Sequence, residues 1–140
     1  MKNTAALVIL FLLALVSCKT KTIEVVEESY PDGSPKLTRN YTDNKSRELV
    51  KEIQFYPNHK KFIEGEFKNN RKDGKWISYY ETGIKWSEGY FKEGLDDGER
   101  ISYYEDGKIR YKGYYKKGKM AGKWKFYDEK GNFLEEKDFK

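Results

Sequence analysis

The chain has 140 residues, enough for one domain, and 36% of them are charged. Its 28 Lys and Arg outnumber 23 Asp and Glu for a formal +5, with the two signs interspersed, whereas nucleic-acid binders gather Lys and Arg on one stripe. One cysteine and one histidine exclude an intramolecular disulfide and leave a histidine-based triad or metal cluster resting on a single residue.

In chain order, the first predicted element is not part of a fold. Lys2 gives a positive start, and Ala5–Val16 is an uncharged apolar run ending at Ser17 and Cys18. A charged start, an apolar core of roughly 7–15 residues and a small residue before the cut predict a cleaved secretory signal over residues 1–17. A membrane span would need about 20 apolar residues. The segment "LVSC" resembles the bacterial lipobox. That resemblance implies that Cys18 takes a thioether-linked diacylglyceryl group, becomes the mature N-terminus and is N-acylated, as in a palmitate-bearing lipoprotein. More than one acyl chain anchors stably, where a single one is marginal. Cleavage removes one charge, Lys2, and leaves +4. The expected address is the cell membrane or outer membrane, facing outside the cytoplasm, where no nucleic acid is met. Residues 18–28 are then lipidated cysteine and tether, with a first strand beginning around Ile23–Val26.

Residues 29–140 are read as a repeat domain. "ISYYETG" at Ile77–Gly83 returns as "ISYYEDG" at Ile101–Gly107. Gly74-Lys75-Trp76 recurs as Gly98-Glu99-Arg100 and Gly122-Lys123-Trp124. Gly65, Gly89 and Gly113 form a second 24-residue series, followed two places later by Phe67, Phe91 and Tyr115. A worn copy starts at Tyr30 and Gly33, 26 residues before its successor, with the two extra residues placed near Thr42–Ser46. A half copy closes the chain, as capping repeats do.

A unit this short cannot hold a core alone, so neighbours must stack. Tyr, Trp, Phe and Ile in short runs favour strands; "ETG" and "EDG" are hairpin-turn chemistry; a second break falls in "KEGLDDG" and "KKGKMAG". No 3.6-residue periodicity suggests helices. The prediction is an all-β, elongated antiparallel β-meander that grows by one hairpin per unit. Residues i and i+2 share a strand face, and a strand glycine often marks close approach of another group. A ring from an adjacent strand is therefore expected across each of Gly65, Gly89 and Gly113. Which face meets solvent is not readable from the pattern.

These residues carry a resemblance. "GKWISYYETGIKWSEGYFKEGLDDG" is similar to the bacterial variant of the MORN repeat, over roughly Ser29–Lys140 and best at Gly65–Tyr127. The resemblance implies a β-hairpin array that binds or scaffolds, and no enzyme. Many bacterial proteins with this variant carry an antitoxin label, which fits an exported chain badly. Arg100 departs from the pattern where Trp76 and Trp124 stand. It either caps the aromatic row by stacking on a ring or is drift.

Other chemistry is weighed and set aside. His59 falls at the turn position held by Gly83 and Gly107, and His tolerates left-handed backbone better than most residues. Asp96-Asp97-Gly98-Glu99 lacks EF-hand spacing and is read as a solvated turn, as is Asp73. Ser78 and Ser102 are equivalent repeat positions without a paired base. No cofactor or metal is expected. The chain is thus predicted to be a lipid-anchored, non-enzymatic module presenting a surface to an envelope protein, through Tyr80, Tyr104, Trp86, Arg100 and Arg110. The alternatives are a wall-glycan or amine binder stacking sugars on Trp76, Trp124 and the tyrosine pairs, and an antitoxin- or immunity-like protein.

Overall fold

The computed structural model describes residues 21–140; the expected signal segment and Cys18 lie outside them. Ten strands form a single sheet: β1 (Thr22–Ser29), β2 (Pro35–Thr42), β3 (Leu49–Phe55), β4 (Lys61–Lys68), β5 (Arg71–Tyr79), β6 (Lys85–Lys92), β7 (Leu95–Tyr103), β8 (Ile109–Lys116), β9 (Lys119–Tyr127) and β10 (Phe133–Phe139). They pair antiparallel in sequence order from β1 to β10. This is the all-β meander the sequence predicts. The expected first strand around Ile23–Val26 is present, and one bound is corrected: β1 pairs Thr22 with Thr42 and Val25 with Arg39, so the sheet takes in residues 22–28 of the stretch expected to be lipidated cysteine and tether. Val25 and Val26 supply the β-branched centre of that strand.

Two kinds of turn alternate. At one end of the strands Tyr30, Tyr56, Tyr80, Tyr104 and Asp128 each accept, at the carbonyl, the N–H three residues on. That fourth residue is left-handed: Gly33, Gly83, Gly107 and Gly131 have φ between 85° and 92°, and His59 has φ 64°. His59 is a turn residue standing in a glycine's place. At the other end, two-residue turns place both central residues at positive φ: Asn69-Asn70, Glu93-Gly94 and Lys117-Gly118, as tight hairpins with right-handed twist require. The first such connection is longer, over residues 43–48. There the Asn44 side chain accepts from Ser46 N–H and Arg47 N–H.

The second correction concerns glycine. Gly74, Gly98 and Gly122 lie inside β5, β7 and β9 with φ of 104°, 134° and 63°, and the pairing slips beside Gly74 and Gly98, between Gly65 and Phe67 and between Gly89 and Phe91. They are β-bulges, where the extra residue bends the strand and increases its twist. Asp96 and Asp97 are therefore strand residues beside a bulge, not members of a solvated turn. Asp97 Oδ2 accepts the Lys117 N–H at 3.1 Å and Asp73 Oδ2 the Glu93 N–H at 3.1 Å. Each carboxylate caps the turn of the next unit, about 20 residues downstream.

Among the described residues no second layer covers the sheet, so the core is a row of side chains on one face. Register aligns Gly65 with Trp76, Trp76 with Gly89, Gly89 with Arg100 and Arg100 with Gly113. Trp76 is 5% exposed and Trp124 2%. A Cβ added to Gly65 would fall within the Trp76 ring, and one added to Gly113 within the Trp124 ring. The expected ring-over-glycine layer holds at these two positions; at Gly89 the covering group is the Arg100 guanidinium, whose Nε would stand 2.6 Å from such a Cβ. Phe67, Phe91, Tyr115 and Phe139 fill between them, with centroids of Phe67 and Trp76 5.4 Å apart, Trp76 and Phe91 5.9 Å, Tyr115 and Trp124 5.1 Å, and Trp124 and Phe139 6.2 Å. Each indole N–H donates to a neighbouring-strand carbonyl, Trp76 to Glu66 and Trp124 to Tyr114. The rings therefore bury no unpaired donor.

A candidate interaction surface

Residues directly opposite each other in an antiparallel sheet share a face. The face away from the ring row therefore carries the register line Ile53, Glu64, Ile77, Glu88, Ile101, Lys112, Lys125, Glu136. Charges are the currency of this face. Glu64 accepts from Lys51 at 2.7 Å, Lys61 at 2.9 Å and the Tyr79 hydroxyl at 2.8 Å. One unit later Glu88 does the same with Lys75 at 2.8 Å, Lys85 at 3.1 Å and the Tyr103 hydroxyl at 2.7 Å. Burial alone would raise both carboxyls, but the hydrogen bonds from the two lysines and the tyrosine outweigh it and hold each at about 2. Burial and the facing carboxylate push the Tyr79 and Tyr103 hydroxyls up.

The second tyrosine of each pair is a latch between units. Tyr30, Tyr56, Tyr80 and Tyr104 donate to the backbone carbonyls of Phe55, Tyr79, Tyr103 and Tyr127 at 2.7–2.9 Å. Over these latches lie the side chains that start the even strands. Phe62 stands edge-on to Tyr56 at 5.0 Å, Trp86 is tilted against Tyr80 at 6.4 Å, and the Arg110 guanidinium sits 5.9 Å from the Tyr104 centroid. Trp86 is 44% exposed and Phe62 36%. Phe62, Trp86 and Arg110 are 24 residues apart in sequence and make one ridge along the tyrosine end of this face.

Of the five residues read from sequence as contacts, Tyr80, Trp86, Tyr104 and Arg110 come together on that ridge. Arg100 does not. It lies in the ring row on the opposite face, its guanidinium 5.6 Å from the centroids of Phe91 and Tyr115 and paired with Asp96. Stacking on rings is what the sequence reading offered for it, and drift is the lesser account. The glycan alternative loses two of its platforms, since Trp76 and Trp124 are buried over glycines and have no free ring face to offer a sugar, while the tyrosine pairs it also named stay half-buried. Ser102 is buried and donates to the Trp86 carbonyl. Among the described residues no group of His, Cys, Asp and Glu is placed to hold a metal.

Sequence reasoning missed one feature. From Lys108 to Lys125 there are eight lysines and arginines and no acid. The reading of evenly mixed charge fails there, because a whole-chain balance averages over the two strands concerned. On the charged face Lys112, Lys123 and Lys125, with Glu99, Gly113 and Tyr114, line a shallow cleft of about 360 Å³. A running count of charge along the chain would have found it.

The family described as MORN repeat variant matches residues 72–93 and 96–117. Each match starts beside a bulge glycine, runs over the tyrosine-end turn and stops at the first residue of a two-residue turn. No curated protein matches the chain. A solved structure described as the crystal structure of TarM is similar at a TM-score of 0.49 and 18% identity, over 76% of this chain and 19% of that one. This chain thus spans under a fifth of that protein's length.

Proposed function

We propose that this chain is a non-enzymatic binding or scaffolding module, held at the bacterial envelope by lipid on Cys18, that presents one face of its sheet to a protein partner. The MORN-variant match supports a repeat-based binding module. The observation that carries the finer reading is the Phe62–Trp86–Arg110 ridge: large side chains backed by latched tyrosines, with exposed faces and, among the described residues, no layer over them. Exposed aromatic and Arg side chains on a firm base are what interface hot spots are made of. The lipid anchor rests on the lipobox resemblance of "LVSC".

The test is affinity purification of the tagged full chain from detergent-solubilised envelopes, alongside Cys18→Ala and Trp86→Ala. The reading expects one protein recovered at constant ratio, lost with Trp86→Ala and not recovered from intact cells with Cys18→Ala. Retention in the insoluble wall pellet with release by glycan digestion, and no protein enriched, overturns it. An unacylated N-terminal peptide by mass, in a soluble chain, overturns the anchor.

A further inference from the structure

The repeat contains a worked example of carboxylate recognition, and in one unit the carboxylate is missing. At the first two copies a glutamate (Glu64, Glu88) sits between lysines (Lys51 and Lys61; Lys75 and Lys85) and a tyrosine hydroxyl (Tyr79, Tyr103). In the fourth, Glu136 accepts from Lys123 at 2.8 Å and stands 3.8 Å from Lys125. In the third copy the glutamate position is Lys112. Lys125, its register partner, replaces the isoleucine of the other units. Glu99 replaces the lysine equivalent to Lys75, and among the described residues neither Glu99 nor Lys112 makes an ion pair. Tyr127 occupies the place of Tyr103 but faces a lysine position where an acid stood.

We propose that this cleft between β8 and β9 takes carboxylates from an acidic segment of a protein partner, gripped by Lys112 and Lys125 and flanked by the exposed Tyr114 ring. The inference deepens the partner reading above and rests on it. Three facts support an acidic protein segment. The fold already binds carboxylates this way twice, with lysine and tyrosine donors. The run from Lys108 to Lys125 holds eight lysines and arginines and no acid, and the cleft lining has three lysines against Glu99 alone, with Glu136 beside it at Lys123 and Lys125. Tyr114 is 49% exposed and lines the cleft, so apolar contact is available beside the charges. Opposite charge steers such a partner and sets its register more than it adds affinity.

The experiment uses the full chain in neutral detergent and a fluorescein-labelled octaglutamate peptide, read by anisotropy. Lys112→Glu and Lys125→Ile each restore the residue found in the other units, so both should fold, checked by circular dichroism and thermal midpoint. Saturable binding is expected that falls steeply with salt, weakens about tenfold or more in each variant, and is unchanged in the remote Lys45→Glu. Absence of saturable binding, or equal losses from Lys45→Glu, overturns the proposal. So does Lys112-dependent binding of phosphatidylglycerol vesicles or a single-stranded oligonucleotide in preference to the peptide. If Lys112→Glu still captures the envelope partner at full yield, this site falls and the partner reading stands. If the wild-type chain captures none, the partner reading falls.

Discussion

Arg100 lies over Gly89 where a tryptophan lies over glycine one unit earlier and one unit later. The residue four places before it changes in step. Lys72 caps Trp76, its Nζ 3.8 Å from the ring; Asp96 pairs with Arg100; Met120 stands at the same position before Trp124. Cation on ring and anion on cation are two solutions to one packing problem.

That coupling is testable. Arg100→Trp alone strands Asp96 among rings without its partner and should destabilise by about 1–2 kcal/mol. Asp96→Lys combined with Arg100→Trp rebuilds the Lys72–Trp76 arrangement and should recover most of the loss. Urea unfolding of the two singles and the double gives the interaction term; strict additivity would show that the pair is not a unit.

Gly65→Ala and Gly113→Ala put a methyl inside an indole ring and should each cost about 1–3 kcal/mol, with repacking of the row. Gly89→Ala meets the flexible Arg100 side chain instead and should cost less. Thermal midpoints rank the three, and an equal loss at all of them would contradict the ring-row account.

Trp76 and Trp86 should separate stability from binding. Trp76→Ala empties a buried site and is expected to cost about 3–5 kcal/mol. Trp86→Ala removes an exposed ring and should shift stability by less than about 1 kcal/mol while abolishing partner recovery. The two are read in parallel by denaturation and copurification.

Stability should fall with acid. Glu64 and Glu88 ionise at about 2 in the fold against an ordinary 4.5, so their contribution is complete above pH 4.5 and is lost as pH falls from there toward 2. With the lysines partly in water, about 1–2 kcal/mol per cluster is expected. Glu64→Gln and Glu88→Gln should flatten the slope of the urea midpoint against pH over that window. Tyr79 and Tyr103, raised above their ordinary 10, contribute fully below pH 10 and lose it only as pH climbs through their folded values.

His59→Gly should be neutral or stabilising by up to about 1 kcal/mol, since φ of 64° costs a residue with a Cβ what glycine does not incur. A marked loss of stability would mean that the imidazole is doing something other than filling a turn.

Much of this was legible in the sequence because the chain repeats. The spacing of Gly65, Gly89 and Gly113 with Phe67, Phe91 and Tyr115 foretold the ring-over-glycine layer, and alignment alone placed His59 in a turn. What the pattern hid has physical reasons. A glycine at positive φ has the same signature in a turn and in a bulge, so Gly98 drew Asp96 and Asp97 into a loop that does not exist. The carboxylates of Asp73 and Asp97 act on turns about 20 residues away, a distance no local motif spans. Solvent exposure depended on bulges that shift facing, and only register separated Trp86 from Arg100.

The pairing pattern has a kinetic consequence. No registered pair is further apart in sequence than Thr22 and Thr42, 20 residues. Each new hairpin therefore closes a short loop against an edge already in place, and the entropy of bringing distant segments together is never incurred. Such a chain can order itself strand by strand as it emerges from a narrow pore, from whichever end appears first. An all-β protein of ten strands thereby has the search problem of a single hairpin, met repeatedly.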